Sequence, residues 1–208
     1  MGGPDEPGHD GLRVEIDMRI YMIRHGKPAA TWGDTNDDGD PGLDEVGQAQ
    51  ARAAAEALLA LPEAERPTRV VSSPLRRCRE TAAPFAAALG VDLIIDPMVG
   101  EIPTPSTVSH EDRGAWLRKA FAGRWGEIIG DLDYDAWRRG VADAVAGYPN
   151  TAVFSHHVAI NAAVSTAEGH DLVMGFRPDH CSVQTFETTG DGGLILVSRG
   201  REASTQVL

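Results

Sequence analysis

The sequence predicts an α/β fold, a three-layer α/β/α sandwich whose central sheet is mostly parallel. Short apolar runs alternate with longer segments of helical periodicity, which is the pattern of strand–helix–strand units. Apolar residues make up 42% of the 208 residues and charged residues 24%, so the chain can bury a core of ordinary size. This length suits one domain, which we assign to residues 18–208, behind an N-terminal tail over 1–17 that we expect to be flexible.

The predicted strands are short apolar runs bounded by turn-forming or polar residues. Four of them lie at 18–23, 69–72, 91–95 and 151–155. Two further runs, 181–188 and 194–199, are separated by Gly190-Asp191-Gly192-Gly193, a sequence typical of a hairpin turn. The sheet should therefore gain an antiparallel pair from the C-terminal part of the chain.

Helices are expected between these strands. Asp44 is a suitable N-cap for the first, Pro74 marks the start of the second, and Gly90 should end that second helix. A further helix is expected over 157–168. Residues 106–146 are largely helical in pattern, and we interpret them as a helical insertion that acts as a lid. Its basic residues could contact an anionic group of a ligand, but we expect them on a solvated helix face: Arg113, Arg118, Lys119 and Arg124.

The charge and cysteine content exclude several classes of partner and site. Lys and Arg total 19 against 31 Asp and Glu, which gives a net charge of −12. A field of this sign repels polyanions, so neither nucleic acid nor a membrane surface is expected as a partner. The two cysteines, Cys78 and Cys181, form no disulfide framework and no Cys-x-x-Cys metal site, which favours a reducing, cytoplasmic location. No apolar stretch has the length of a signal-peptide core or a membrane span, and self-association into a homodimer stays open.

Three of the predicted strands end in residues that carry chemistry. Arg24-His25-Gly26 ends the first, Ser72-Ser73-Pro74-Leu75-Arg76-Arg77 the second, and Ser155-His156-His157 the fourth. The carboxyl ends of parallel strands meet at one edge of an open sheet, where ligands bind. Arginines and histidines gathered there would repel one another unless an anion lay between them, so this edge predicts a phosphate pocket. The glycine after His25 allows the backbone to turn sharply and to approach a ligand closely.

These segments belong to a longer set of motifs. The set comprises Ile23-Arg24-His25-Gly26-Lys27, then Leu43 to Ala51, then Ser72 to Ala82, and finally Phe154-Ser155-His156. In this order, and at these strand and helix positions, they resemble the motifs of the histidine phosphatase superfamily, also called the phosphoglycerate mutase-like family. The resemblance extends from about residue 18 to residue 199.

The resemblance implies the roles of the residues in the pocket. His25 would attack phosphorus as a neutral imidazole and form a phosphohistidine, while an acceptor such as a backbone carbonyl holds its other ring nitrogen. Arg24, Arg77 and His156 would bind the equatorial oxygens of the phosphoryl group. Glu101, which follows the third strand, would protonate the leaving alcohol and then activate water. Neither a metal nor another cofactor is required.

The sequence departs from the family pattern around the pocket. Lys27 stands where a glutamate usually follows the glycine, and His157 replaces the glycine that usually follows the histidine of the last motif. We assign both Lys27 and His157 to substrate binding. The insert with which mutases hold a phosphoglycerate carboxylate is not recognisable.

Several assignments keep rivals. Asp96 and Glu111 compete with Glu101 for the role of the acid. Arg76 competes with Arg77 for the phosphate, and His157 competes with His156. For function, we expect a metal-independent phosphomonoester hydrolase that acts on a small phosphorylated metabolite. The alternatives are a phosphoglycerate mutase-type phosphotransferase, a phosphohistidine protein phosphatase and a non-catalytic phosphate-binding module.

The acidic loop over 34–45 fits the spacing of a calcium-binding EF-hand loop. The positions that this motif requires are filled by Asp34, Asn36, Asp38, Gly39 and Glu45. Pro28 and the glycines nearby supply no entering helix. We therefore interpret the segment as an acidic loop at the rim of the pocket, without a bound metal.

Overall fold

The computed structural model describes residues 19–30 and 39–203 of the chain. Within these ranges, six strands form one sheet: Arg19–Arg24 (β1), Arg69–Ser72 (β2), Ile94–Ile95 (β3), Thr151–Ser155 (β4), Val183–Thr188 (β5) and Leu194–Ser198 (β6). The same part of the chain holds five α-helices: Glu45–Leu59 (α1), Arg76–Leu89 (α2), Arg113–Phe121 (α3), Tyr134–Ala146 (α4) and His157–Ala167 (α5). None of these helices is both long and apolar enough to cross a membrane. The predicted tail over 1–17 and the loop positions Asp34, Asn36 and Asp38 lie outside the described residues.

The sheet is mostly parallel, as the alternation of strands and helices predicts. Its strands follow the order β3-β2-β4-β1-β5-β6. The first four strands of the chain run parallel to one another, whereas β5 lies antiparallel to both β1 and β6. The C-terminal hairpin is thus confirmed, and its first strand lies beside β1. Because β5 runs in the opposite direction, the residues before β5 meet the residues after β1 at one edge of the sheet.

Alternation of side chains along β1 divides the core into two parts. Ile20 and Met22 pack on one face of the sheet together with residues of α4 and α5. Tyr21 and Ile23 pack on the other face together with residues of α1 and α2. Helices therefore cover both faces of the sheet, which confirms the three-layer α/β/α sandwich.

Asp44 and Gly90 delimit helices as the sequence predicts. The Asp44 carboxylate accepts a hydrogen bond from the Gly47 N–H at 2.7 Å and so satisfies a donor that the first turn of α1 leaves unpaired. Gly90 ends α2 in the left-handed conformation, with φ 67°. Pro74 lies just before α2, whose first helical residue is Arg76.

The third strand is shorter than the sequence predicts. β3 comprises only Ile94 and Ile95 instead of 91–95, and both side chains are exposed at the edge of the sheet. Only Val71 and Ser72 of β2 pair with it. β3 therefore has a single short neighbour, and the residues in front of it stay outside the ladder.

The block over 106–146 is less helical than predicted, and part of it belongs to the layers of the sandwich. Its first helix, α3, begins only at Arg113, after a segment that contains Pro103 and Pro105. In the segment before it, the Ser106 N–H donates to Asp131 at 2.6 Å and the Ser109 hydroxyl to Asp112 at 2.7 Å, and such bonds to side chains favour turns over helix. α4 buries Val141 in the core shared with α5, so this helix is a structural layer rather than a cover. A lid formed by the remainder of the block stays a prediction.

Candidate active site

His25 lies directly after β1, at the carboxyl edge of the sheet. Its backbone N–H donates to the Ser155 carbonyl of β4 at 3.0 Å, which ties the ends of two neighbouring central strands together. The Nδ1 atom of its ring lies 2.8 Å from the Gly26 carbonyl oxygen. Because a carbonyl only accepts, this network assigns the proton to Nδ1 and the lone pair to Nε2. Gly26 thus supplies the backbone acceptor that the sequence analysis expects for this ring.

The loop after His25 is held by α1 and α2. The Gly26 N–H donates to Thr81 Oγ1 at 2.9 Å, and the same hydroxyl donates to the Arg77 carbonyl at 2.6 Å. A Cβ atom on Gly26 would lie 2.7 Å from the Gly47 carbonyl oxygen of α1, closer than real Cβ contacts allow. The glycine is therefore required for the close approach of a helix, and the close approach of a ligand that the sequence suggests stays a prediction. This contact packs the start of α1 against the loop that carries His25.

Arg24 is the buried cation at the end of β1. Its Nη1 donates to the Pro178 carbonyl at 2.9 Å, while its Nε has no hydrogen-bond partner among the described residues. Burial lowers the pKa of Arg24 to about 10, and the charges of Glu101 and Asp179 oppose this shift. The guanidinium therefore stays cationic near neutral pH and retains a donor for an anion.

Arg77 faces His156, whereas Arg76 turns outwards. The Nη2 atom of Arg77 lies 3.2 Å from His156 Nδ1, and the side chain is almost fully buried. The Nε atom of Arg76 donates instead to the Glu80 carboxylate at 2.7 Å, on the exposed side of α2. Adjacent residues of a helix point about 100° apart, so one of two neighbouring arginines faces the pocket and the other faces solvent. The geometry agrees with the motif register, which selects Arg77.

His156 is fully buried, and both of its ring nitrogens have partners. Nε2 lies 2.8 Å from Ser73 Oγ, and Nδ1 faces the Arg77 guanidinium. Because a guanidinium only donates, Nδ1 accepts, and the network leaves the proton on Nε2, which donates to Ser73. Ser73, to which the sequence analysis assigns no role, therefore orients this ring. The Cys78 thiol packs 3.3 Å from Nε2 and donates to the Ser155 carbonyl.

Glu101 joins this cluster from the segment after β3. Its Oε2 atom lies 3.6 Å from Arg77 Nη2 and 3.6 Å from His156 Nδ1. Its rivals are placed differently: Asp96 caps the turn that follows β3, and Glu111 is exposed. The structure thus brings Glu101 into the pocket, and its role as the acid stays a prediction.

The two residues assigned to substrate binding lie in different surroundings. Lys27 is exposed, and its Nζ forms an ion pair with the Asp44 carboxylate at 2.7 Å. His157 is buried at the start of α5, where its Nε2 lies 3.0 Å from Met174 Sδ and its ring stacks on Phe121. Lys27 therefore lies exposed beside Asp44, and His157 is buried near Arg24 with its Nε2 against Met174, so a substrate contact by either stays a prediction.

The histidines around the pocket are held neutral. Burial lowers the pKa values of His25 and His156 well below the usual range, and the nearby arginines add to this effect through their positive charge. Burial first and Arg24 second also lower the pKa of His157 to about 3 and that of His180 to about 4. Near neutral pH, His25 therefore presents an uncharged lone pair beside cations, which is the state that a nucleophile requires.

Near the pocket, His180 has no role predicted from the sequence, and Arg113 lies elsewhere than predicted. The ring centroid of His180 lies 5.7 Å from that of His25, because the segment before β5 meets the end of β1. Arg113 is buried, and its Nη2 donates to the Ile102 carbonyl at 3.4 Å. Burial lowers the pKa of Arg113, and the charge of Glu101 opposes this shift. The expectation that Arg113 lies on a solvated face is therefore wrong, whereas the other three basic residues of that group are exposed.

The chemistry of the groups that line the pocket suits an anion. Among residues 19–30 and 39–203, no group of three His, Cys, Asp or Glu side chains is arranged to hold a metal ion. At the end of the acidic loop, Glu45 is the first residue of α1 and Asp44 is its N-cap, so both serve the helix. What the pocket brings together is a neutral imidazole, buried guanidinium groups and a carboxyl group. Such a set can bind an oxyanion and attack it.

The fold resembles solved structures of phosphatases. The structure of phosphoserine phosphatase from Entamoeba histolytica in complex with 3-phosphoglyceric acid has a TM-score of 0.68 at 20% identity, covering 88% of this chain and 96% of that chain. The mycobacterial glucosyl-3-phosphoglycerate phosphatase has a TM-score of 0.66 at 21% identity, covering 89% of this chain and 100% of that chain. At these identities the likeness shows a shared fold.

Sequence comparisons give the family. A bifunctional protein of Mycobacterium tuberculosis is 36% identical over 120 residues, which are 57% of this chain and 29% of that protein. The chain thus spans less than a third of the length of the curated relatives that it matches. The model of the histidine phosphatase superfamily (branch 1) matches residues 20–199, which include every motif quoted above. The chain therefore belongs to the histidine phosphatase superfamily.

Proposed function

We propose that this chain is a metal-independent phosphomonoester hydrolase that acts on a small phosphorylated metabolite through a phosphohistidine at His25. The state of the His25 ring is the observation that carries the proposal. The Gly26 carbonyl holds Nδ1 at 2.8 Å, and burial keeps the ring neutral, so Nε2 is left as a nucleophile beside Arg24 and Arg77. The related structures support the substrate class, since their ligands include 3-phosphoglyceric acid and inorganic phosphate.

In the first step, His25 Nε2 attacks phosphorus, and the bond from phosphorus to the leaving oxygen breaks. Arg24 and Arg77 bind the equatorial oxygens, whose charge must be stabilised in the transition state. The negative charge of the substrate draws a proton onto His156 Nδ1, which then donates as well. Glu101 gives its proton to the leaving oxygen, so the product departs as a neutral alcohol.

In the second step, water attacks the phosphohistidine. Glu101 is now a carboxylate and takes a proton from this water, while the bond between phosphorus and Nε2 breaks. Inorganic phosphate leaves, and His25 returns to its neutral state. Throughout both steps, the Gly26 carbonyl accepts from Nδ1–H and stabilises the positive charge that the phosphorylated ring carries.

Hydrolysis of an activated aryl phosphate in the presence of EDTA tests this proposal. We expect phosphate release that EDTA does not reduce, because the arginines supply the positive charge that a metal supplies in other phosphatases. A non-catalytic phosphate-binding module would release none. A metal-dependent hydrolase would lose its activity in EDTA and recover it with added Mg²⁺. A panel of phosphorylated metabolites, ranked by kcat/KM, would then identify the natural substrate class.

The two adjacent arginines of α2 provide a matched pair of variants. Arg77→Ala should lower kcat/KM by about 10²–10³-fold, the scale for removing one donor to a transition-state oxyanion. Arg76→Ala should cost far less, because Arg76 pairs with Glu80 on the exposed side of α2. Steady-state kinetics with one aryl phosphate compare the two variants directly. The reverse ranking would assign the phosphate to Arg76 and refute the geometry described here.

A further inference from the structure

A second imidazole, besides that of His156, lies next to the proposed nucleophile. The ring centroid of His180 is 5.7 Å from that of His25, and the centroid of His156 is 5.3 Å from it. The two neighbours differ in access to solvent. His156 is fully buried, whereas His180 is partly exposed. A group that enters the pocket from solvent can therefore reach His180 directly.

The backbone fixes His180 relative to the end of β1. The Arg24 guanidinium donates to the Pro178 carbonyl at 2.9 Å, and the Cys181 N–H donates to the Arg24 carbonyl at 3.1 Å. The Arg24 N–H in turn donates to the Ser182 carbonyl at 3.3 Å. The segment that carries His180 is thus tied on both sides to the residue that precedes His25.

The residue after His180 adopts an unfavourable backbone conformation. Cys181 has φ 54°, in the left-handed region that residues other than glycine and asparagine rarely adopt. Such conformations persist where the surroundings enforce them, and they are found preferentially at functional sites. Cys181 is itself buried and its N–H bonds to Arg24, so the strained link is part of the connection that holds His180 in place.

The surroundings of His180 combine both signs of charge. They comprise Arg24 at the end of β1, Lys27 in the loop after it, Asp44 at the start of α1, Asp179 on its own segment, and the neutral rings of His25 and His157. Burial and Arg24, in that order, lower the pKa of His180 to about 4, against the charges of Asp179 and Asp44. The ring is therefore neutral near neutral pH and still carries one N–H donor.

We propose that His180 is a substrate-contacting residue, which donates a hydrogen bond to an oxygen of the phosphoryl group that binds at His25. The inference rests on the proposed function and deepens it. His180 is held by its backbone within reach of that group, partly open to solvent, and has an N–H to offer. A phosphate anion beside the ring also favours the protonated imidazolium, which donates more strongly.

Nuclear magnetic resonance of the histidine rings tests the contact in the wild-type protein, with inorganic phosphate as the probe. Without phosphate, His180 should stay neutral from about pH 8 to about pH 5.5, since its pKa is about 4. Saturating phosphate should shift its ring signals and bring its protonation into that range. His170 is the control, since it lies beyond the far end of α5 and contacts Glu168. At any fixed pH, the addition of phosphate should not shift its ring signals. A His180→Asn sample assigns the signal.

Kinetics of variants provide a second, independent readout. His180→Ala should lower kcat/KM by about 10–10²-fold, the range for a hydrogen bond to a charged group, and should weaken competitive inhibition by phosphate in parallel. His180→Asn keeps an N–H donor and should lose less. The loss should be the same for aryl and alkyl phosphates, because the contact is to the transferred group. His170→Ala is the control and should behave as the wild type.

The two readouts separate this inference from the proposed function. If the chain hydrolyses phosphate esters but neither the His180 signals nor the kinetics of its variants respond, the role of His180 is refuted and the function stands. If the chain binds phosphate at His180 but hydrolyses no ester, the function is refuted and the contact stands. If phosphate leaves the His180 signals unchanged because it does not bind, the contact is refuted, and the hydrolysis assay alone decides the function.

Discussion

His25→Ala should leave no measurable turnover, because the other candidate nucleophiles near the pocket are unsuited to attack. Burial raises the pKa of the Cys78 thiol, so it stays protonated and unreactive. His156 is fully buried, with Nδ1 accepting from Arg77 and Nε2 bonded to Ser73. Among the residues that the structure describes near the pocket, His25 combines a neutral ring, a backbone acceptor on Nδ1 and adjacent buried arginines, whereas the Nε2 atom of His157 lies 3.0 Å from Met174 Sδ.

The intermediate distinguishes loss of a nucleophile from loss of folding. Acid quench of the wild type during turnover of a labelled substrate should trap a phosphoenzyme that is stable to base and labile to acid, as a phosphoramidate is. Peptide mapping should place the label on His25, and His25→Ala should show none while retaining its circular dichroism spectrum. His170→Ala should retain both label and turnover. A label on His180 or His156 in the wild type would refute the proposed mechanism.

The gathering of Arg24, His25, Arg77 and His156 could be predicted because it depends on a simple rule. Parallel strands bring their carboxyl ends to one edge, and these residues end or follow three adjacent parallel strands. The choice of Arg77 over Arg76 depends on which side of α2 each arginine occupies. The position of each arginine in the motif already specifies that side. Local sequence was therefore sufficient to predict the position of a site residue wherever that position follows from the preceding strand.

The residues that escaped prediction depend on contacts between distant parts of the chain. His180 stands before a hairpin strand, and the sequence does not show that this hairpin lies beside β1 rather than at the other edge of the sheet. Arg113 has charged neighbours in sequence, but its burial depends on where α3 lies relative to Glu101 and Ile102. The length of β3 likewise depends on its place at the sheet edge. In each case, the deciding contact is a tertiary one that the local sequence pattern does not show.

Glu101→Gln should slow the phosphorylation of His25 by an alkyl phosphate by about 10²–10⁴-fold, the scale for loss of a general acid. An alkoxide is a poor leaving group and needs a proton as the bond to phosphorus breaks. Glutamine keeps the shape of the side chain and removes that proton. A nitrophenolate hardly needs protonation, so the same step with an aryl phosphate should slow far less. Pre-steady-state measurements with both substrates, on wild type and variant, give the two rates directly.

The second step provides a further signature of the same residue. In the proposed mechanism Glu101 is also the base that activates water, so dephosphorylation of the variant should be slow with either substrate. With the aryl substrate, the phosphoenzyme should therefore accumulate and give a burst of nitrophenol. The position of Glu101 makes both roles possible, because its Oε2 lies 3.6 Å from Arg77 Nη2 and from His156 Nδ1, to which we assign the transferred group.

Variants of the rival carboxylates provide the matched controls. Asp96→Asn keeps only one of the two oxygens that accept from the Met98 N–H and from the Tyr148 hydroxyl, both at 2.8 Å. It should therefore lower thermal stability somewhat while slowing the aryl and the alkyl substrate equally. Glu111→Gln changes an exposed carboxylate just before α3, and its rates with both substrates should resemble those of the wild type. Only Glu101→Gln should make the phosphorylation rate depend more steeply on the leaving group. If Glu101→Gln slows that step equally for the aryl and the alkyl substrate, Glu101 is excluded as the acid. If the phosphorylation rate of Asp96→Asn or Glu111→Gln depends more steeply on the leaving group, the role belongs to that residue instead.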